Sequence, residues 1–173
     1  ESEATDPVPN DRAGTDGYGS YFRSALNIRQ HINEIQLDYR YLAPAQLQDG
    51  LTAEQVPLFF LPFTTAVSED TVALLEAYVR EGGVLVADFR AGVANAHGRP
   101  WNETNPLLRL FGIDRDGSSP ADGPTKVSFT NTEERIGLPG TVIDLYGRES
   151  VTAREAIALA HHETGEPALL LRK

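Results

Sequence analysis

The spacing of apolar positions changes along this chain, and each change predicts a different kind of element. From Tyr18 onward, Tyr18, Tyr21, Phe22, Ala25, Ile28, Ile32 and Ile35 recur at three- and four-residue intervals, with Asp16 placed as an N-cap ahead of them. This predicts a helix over 18–33. The segment Leu37-Asp38-Tyr39-Arg40-Tyr41-Leu42 then alternates with period two and stops at Ala43-Pro44, the pattern of a short strand. Leu58-Phe59-Phe60-Leu61 is apolar at every position, as in a strand covered on both faces within a parallel sheet.

The stretch from Ser68 to Gly83 is the clearest helix. Ser68 supplies an N-cap, Glu69 and Asp70 set negative charge at the positive end of the helix dipole, and Val72, Leu75, Tyr78 and Val79 form one apolar stripe. Gly82-Gly83 ends it, and the all-apolar Val84-Leu85-Val86-Ala87 follows at once. Strand, helix and strand in this order predict a right-handed βαβ unit on a parallel sheet.

Beyond Arg90, glycine and proline punctuate the chain. A short helix is expected from Pro106 to Phe111, with proline in its first turn. Strands are expected over 125–130, 142–146 and 156–160, the last meeting Leu169-Leu170-Leu171 across the turn His162-Glu163-Thr164-Gly165-Glu166. The organisation read from the pattern is an irregular acidic loop over 1–17, an α/β core over 18–115 and a strand-rich part over 125–173, together one domain.

Composition narrows the function classes. With 173 residues the chain is too short for an eight-fold β/α barrel, which needs about 250. With no cysteine there is no disulfide, thiolate metal site, iron–sulfur cluster or cysteine nucleophile. The formal net charge of −10 argues against nucleic acid and against anionic membrane surfaces, because both are bound largely through Lys and Arg. The longest apolar run, Val56 to Phe63, is interrupted by prolines and falls short of the roughly 20 residues that span a bilayer. The opening Glu-Ser-Glu-Ala-Thr-Asp is the opposite of a secretory signal, and a cytoplasmic protein is expected. No methionine occurs, which suggests a piece of a longer chain.

Candidate chemistry follows from the expected sheet, since ligands in open α/β sheets sit beyond the carboxyl ends of the strands. Those ends carry Thr64 and Thr65 after one strand, and Asp88 and Arg90 after the next. Two residues apart in an extended stretch, Asp88 and Arg90 would face one side, either to hold a polar ligand or to pair with each other and close the sheet. Gly14-Thr15-Asp16-Gly17-Tyr18-Gly19 fits neither the G-x-G-x-x-G nor the phosphate-loop pattern, and Asp6, Asp11 and Asp16 would repel a phosphate. Adjacent His161 and His162 would face opposite ways on a strand and not share a metal; no metal and no cofactor are expected. No G-x-S-x-G elbow occurs, and Ser118-Ser119-Pro120 lacks the strand–turn–helix context that would activate a serine.

A resemblance sharpens this. Leu58-Phe59-Phe60-Leu61-Pro62, Ser68-Glu69-Asp70-Thr71, Tyr78 through Ala87, Arg90-Ala91-Gly92-Val93, His97-Gly98-Arg99-Pro100 and Leu110-Phe111-Gly112-Ile113 together resemble the second, trimerisation domain of family-42 β-galactosidases. Gly165-Glu166-Pro167-Ala168-Leu169-Leu170 is similar to that family's late hairpin. The resemblance implies a flavodoxin-like fold related to class I glutamine amidotransferases: a mostly parallel sheet with helices on both faces and an antiparallel C-terminal hairpin. It implies a non-catalytic role in oligomer assembly, a trimer in the parent, and in walling a neighbouring subunit's active site, with the parent's other domains as partners. The amidotransferases' nucleophilic cysteine is absent, and the family's catalytic glutamates belong to a barrel domain that lies elsewhere. The family's first strand would precede the acidic loop, so either the sheet lacks it or a partner segment supplies it. The alternative is a small-molecule or carbohydrate binding module whose crevice is built from Thr64, Thr65, Asp88, Arg90, His97 and Arg99.

Overall fold

The computed structural model describes residues 21–88, 90–101, 105–116, 121–130 and 141–173. These fall into two compact units, Glu1–Pro106 and Leu107–Lys173. The expected 1–17 loop and the first turn of the expected 18–33 helix lie outside the described residues. The first unit begins with helix α1 (Tyr21–Glu34), whose Ile28 and Ile32 are half-buried. Gln36 enters the left-handed region at φ 57, so the helix stops and Ile35 of the apolar stripe is left 65% exposed. Residues 37–42 are extended but belong to no ladder, contrary to the strand expected there. Period-two alternation selects an extended backbone, but a ladder also needs a partner strand that the local pattern does not supply. Instead Tyr39 and Tyr41, two apart on one side, pack edge to face at 5.7 Å. Helix α2 (Pro44–Gly50), not foreseen, starts with proline at its first position. The Gln46 side chain accepts the Ala43 N–H at 2.8 Å, and Leu47 is buried.

Strand β1 (Leu58–Leu61), short strand β2 (Ala66–Val67), helix α3 (Glu69–Arg80), strand β3 (Val84–Ala87) and short strand β4 (Ala94–Asn95) follow. The Ser68 hydroxyl accepts the Thr71 N–H at 3.0 Å, the expected N-cap. Val72, Leu75 and Tyr78 are buried and Val79 is half-buried, so the stripe faces the core as its spacing predicts. Gly82, at φ 98, turns the chain out of the helix. β1 and β3 pair in parallel, Leu58 with Val84 through Leu61 with Ala87, which is the predicted strand–helix–strand arrangement. β2 pairs β4 in parallel.

Tyr78 joins helix to strand. Its ring is 1% exposed, its hydroxyl donates to the Val84 carbonyl at 3.1 Å, and Phe59 of β1 meets it edge-on at 6.3 Å. The ring fills the place where a side chain on Gly83 would stand: a Cβ there would lie 2.2 Å from the Tyr78 Cζ.

The second unit is built from helix α4 (Pro106–Phe111), β5 (Ile113–Arg115), β6 (Ala121–Phe129), β7 (Val142–Arg148), β8 (Val151–Ala153), β9 (Ile157–His162) and β10 (Pro167–Leu171). Its main sheet has the order β10-β9-β6-β7 with antiparallel neighbours, and β5 pairs β8 antiparallel. Leu107, Val127, Leu159 and Ala160 form the buried centre of this unit. Gly112, at φ 66, presents its carbonyl to the N–H groups of Arg154, Glu155 and Ala156 at 2.9, 3.0 and 3.2 Å, fixing the start of the bend before β9.

The α/β class is therefore observed, and the C-terminal hairpin is part of a four-stranded antiparallel sheet. Parallel pairing, expected to dominate, is confined among the described residues to β1–β3 and β2–β4. Replacing Gly83 by alanine should cost about 1–3 kcal/mol, because the buried Tyr78 ring cannot yield without opening the core. Ser68→Ala should cost about 1 kcal/mol through the lost cap. Urea unfolding followed by circular dichroism measures both, and the larger loss is expected at Gly83.

Candidate functional site

The carboxyl ends of β1 and β3 carry the residues singled out from the sequence. Both strands leave the sheet through strained turns: Phe63 has φ 41 and Arg90 has φ 61, a region that non-glycine residues rarely enter. The left-handed Arg90 removes the extended geometry that would have pointed Asp88 and Arg90 to one side. Asp88 bonds to other parts of the chain instead. Its carboxylate accepts the Phe63 N–H at 2.5 Å and the Ser24 hydroxyl, tying the turn after β1 and helix α1 to the end of β3.

Thr64 and Thr65 act through their backbones: their carbonyls accept the N–H groups of Gly92 and Ala94 at 2.8 and 2.9 Å. Thr65 is buried, and the Thr64 hydroxyl donates back to the Pro62 carbonyl at 3.3 Å. The Gly92 carbonyl accepts the Trp101 indole N–H at 3.0 Å and the side-chain amide of buried Asn105. Sequence reasoning missed these two. The signal was a lone tryptophan and an asparagine directly before Pro106, residue types that are buried only when their donors are matched.

His97 and Arg99 sit on a loop closed by Asn95, whose side-chain oxygen accepts the N–H groups of His97 and Arg99 at 3.0 and 3.2 Å. The Asn95 N–H also donates to the Arg99 carbonyl at 2.8 Å. Both side chains are exposed, and no hydrogen bond or ion pair among the described residues joins them to Asp88. The structure thus brings Thr64, Thr65, Asp88 and the Arg90 turn together as a hydrogen-bonded frame, with His97 and Arg99 displayed beside it on a braced loop.

Burial of its carboxylate pushes the Asp88 pKa above the ordinary value of 3.8, against the opposing hydrogen bonds from Ser24 and Phe63. The residue as a whole is exposed, and the crowding is confined to the carboxylate end that Phe63 and Ser24 engage. A carboxylate already committed to a backbone N–H and a hydroxyl braces a turn.

The remaining histidines and loops are placed as follows. His31 pairs with Glu34 at 3.1 Å on the surface of α1. His161 and His162 hydrogen-bond different threonines, Thr130 at 2.8 Å and Thr125 at 3.2 Å. Among the described residues no group of three or more His, Cys, Asp or Glu side chains converges as metal ligands, and no helix is long and apolar enough to cross a membrane. The Gly14–Gly19 and Ser118–Ser119 stretches lie outside the described residues.

The sequence profile described as the β-galactosidase trimerisation domain matches residues 48–173. This chain belongs to that family. No curated protein matches the sequence. Among solved structures, the trimerisation domain is similar to part of a β-galactosidase from Bacillus circulans sp. alkalophilus, with TM-score 0.62 and 18% identity over 73% of this chain and 19% of that one. It is similar to part of Gan42B, a GH42 β-galactosidase from G. stearothermophilus, with TM-score 0.59 and 18% identity over 72% of this chain and 18% of that one. A third likeness is to the exo-β-1,4-mannosidase Op5Man5 from Opitutaceae bacterium strain TAV5, with TM-score 0.61 and 17% identity over 88% of this chain and 24% of that one. The trimerisation domain thus spans less than a quarter of the length of each.

The Asp88 clamp of the trimerisation domain has a measurable pH signature. A carboxyl whose pKa is raised on folding favours the folded state at low pH, and that contribution is lost as pH rises from about 3.8 through the raised value. Asp88→Asn can still accept the Phe63 N–H and can donate to Ser24, but it does not titrate. Thermal unfolding should show the variant gaining on the native chain across that window and the difference flattening at higher pH. A gap that stays constant from acid to neutral would sink this account.

Proposed function

We propose that this trimerisation domain serves a larger β-galactosidase-like glycoside hydrolase as an assembly module, holding subunits in a trimer and walling the active site of a neighbouring subunit. The single observation that supports this reading is the family match over 48–173, which runs through both compact units and includes the strand ends and their loops. The surface it offers to a neighbour is the exposed side of this frame, Asp88 and the loop that displays His97 and Arg99, backed by half-buried Thr64 and Arg90. Their geometry suits that role, because each turn is braced by internal hydrogen bonds before any partner arrives, so little ordering entropy remains to be lost on contact. The parallel β1–α3–β3 unit is in keeping with a flavodoxin-like, amidotransferase-like ancestry, and residues 1–173 then form one domain of the parent. With no cysteine, the glutamine-hydrolysing chemistry of such relatives is not proposed here. A similar fold occurs in a protein described as a mannosidase, so sugar choice is assigned to the parent's other domains.

Size-exclusion chromatography with light scattering, applied to the parent enzyme with and without residues 1–173, tests the assembly role. A trimer that falls to monomers on deletion is the expected result. An oligomer that survives the deletion would refute it.

A further inference from the structure

We propose that the turn between β9 and β10 is a proton-operated latch: at mildly acidic pH, protonation of the buried His162 imidazole, whose side-chain partner is a hydroxyl, loosens residues 163–166 and the adjoining end of strand β10. This goes beyond the assembly role and does not depend on it.

The residue that carries the titratable ring also closes the turn at both ends. The His162 N–H donates to the Glu166 carbonyl at 2.8 Å, and the His162 carbonyl accepts the Gly165 N–H at 2.8 Å. The side chain is buried, 7% exposed, and its Nδ1 lies 3.2 Å from the hydroxyl of Thr125 on β6, itself buried. A hydroxyl can donate to a neutral ring nitrogen or accept from a protonated one, but it offers no charge to balance an imidazolium.

The surrounding charges are already spoken for. Arg148, at the end of β7, donates to the Thr164 hydroxyl at 2.8 Å and lies 3.1 Å from Glu166 Oε2. Glu166 accepts the Ser150 hydroxyl on its other oxygen at 3.1 Å and the Thr164 hydroxyl at 2.9 Å. Those hydrogen bonds hold Glu166 below the usual carboxylate range, so it remains ionised while histidine titrates. On β6, Lys126 is neutralised by Asp144 of β7 at 2.9 Å. In the turn, the Glu163 N–H donates to the Lys126 carbonyl at 3.0 Å, and on β9 the neighbouring His161 ring is engaged by Thr130. Burial first and the Arg148 charge second hold the His162 pKa below its ordinary 6.5, with Glu166 alone pulling the other way. A base whose pKa is lowered on folding contributes stability above about 6.5 that is lost as pH falls through the folded value.

Strand β10 is the element positioned to respond. Within its sheet it pairs only with β9 among the described residues, and the ladder is interrupted by register shifts at Pro167/Leu169 and Leu169/Leu170. Its far end stays tied, because Arg172 donates to the Arg109 and Leu110 carbonyls and pairs with Glu155. Opening therefore starts at the turn.

NMR on the 173-residue chain tests the latch by following the imidazole signals and amide exchange from about pH 7.5 to about pH 5. The expected result is a His162 midpoint below 6.5, with the Gly165 and Leu169 amides losing protection as the pH falls through that midpoint while Val127 keeps its own. His162→Gln, which can still meet Thr125 but cannot titrate, should keep hairpin protection flat with pH. Arg148→Gln should raise the His162 midpoint and the opening midpoint together. If His162→Gln does not fold, the coincidence of midpoints in the native chain and their joint movement in Arg148→Gln decide the matter. Hairpin amides that stay protected through the His162 titration, or that open at a pH unaffected by Arg148→Gln, overturn the proposal.

Discussion

The first unit depends on the fit between the Tyr78 ring and the missing side chain of Gly83. Helix α3 can lie on the β1–β3 pair only because the strand enters with a residue that has no Cβ, leaving the ring room to sink to 1% exposure. Burying an aromatic side chain of this size is worth about 1.5–3 kcal/mol, and the hydroxyl that would otherwise oppose burial is satisfied by the Val84 carbonyl. One contact thus orients the helix, sets the start of β3 and, through the parallel register, places the ends of both strands side by side. The candidate site exists because those ends are level: Leu61 is paired with Ala87, and one residue beyond Ala87 the Asp88 carboxylate reaches the Phe63 N–H.

At that site the chain spends its polar groups on itself. In an enzyme crevice the strand ends would carry side chains with free lone pairs or protons. Here the Asp88 carboxylate, the Thr64 and Thr65 carbonyls, the Asn95 side chain and the Gly92 carbonyl each close an internal turn. The backbone strain at Phe63 and Arg90 is held in place by that network. Rigid turns with their donors already matched suit contact with a protein surface better than chemistry on a small molecule, in keeping with a trimerisation domain. The second unit has its own rule. Its antiparallel sheet is bounded by a hairpin whose closing residue, His162, is buried and titratable.

What the residues alone determined was local. The helix from Ser68, its glycine stop, the flanking apolar strands, the short helix at Pro106 and the late hairpin were all legible, because each is specified by neighbours within a few positions: a cap, a stripe, a turn. The family could be read from the same residues, since its motifs are those turns and strand ends. Tertiary structure decided what depends on distant partners. Leu37–Leu42 alternates like a strand yet pairs with nothing among the described residues, and β2, β4, β5 and β8 are strands too short for any period to reveal. The candidate residues could be named from the chain, but the contacts each makes were not legible. Whether Asp88 meets a ligand, Arg90 or a backbone N–H turns on the left-handed φ at Arg90 and the approach of Phe63 and Ser24, 25 and 64 positions away in the chain. Hydrogen bonds over such separations are set by how α1, β1 and β3 pack, and packing is a property of the folded chain as a whole.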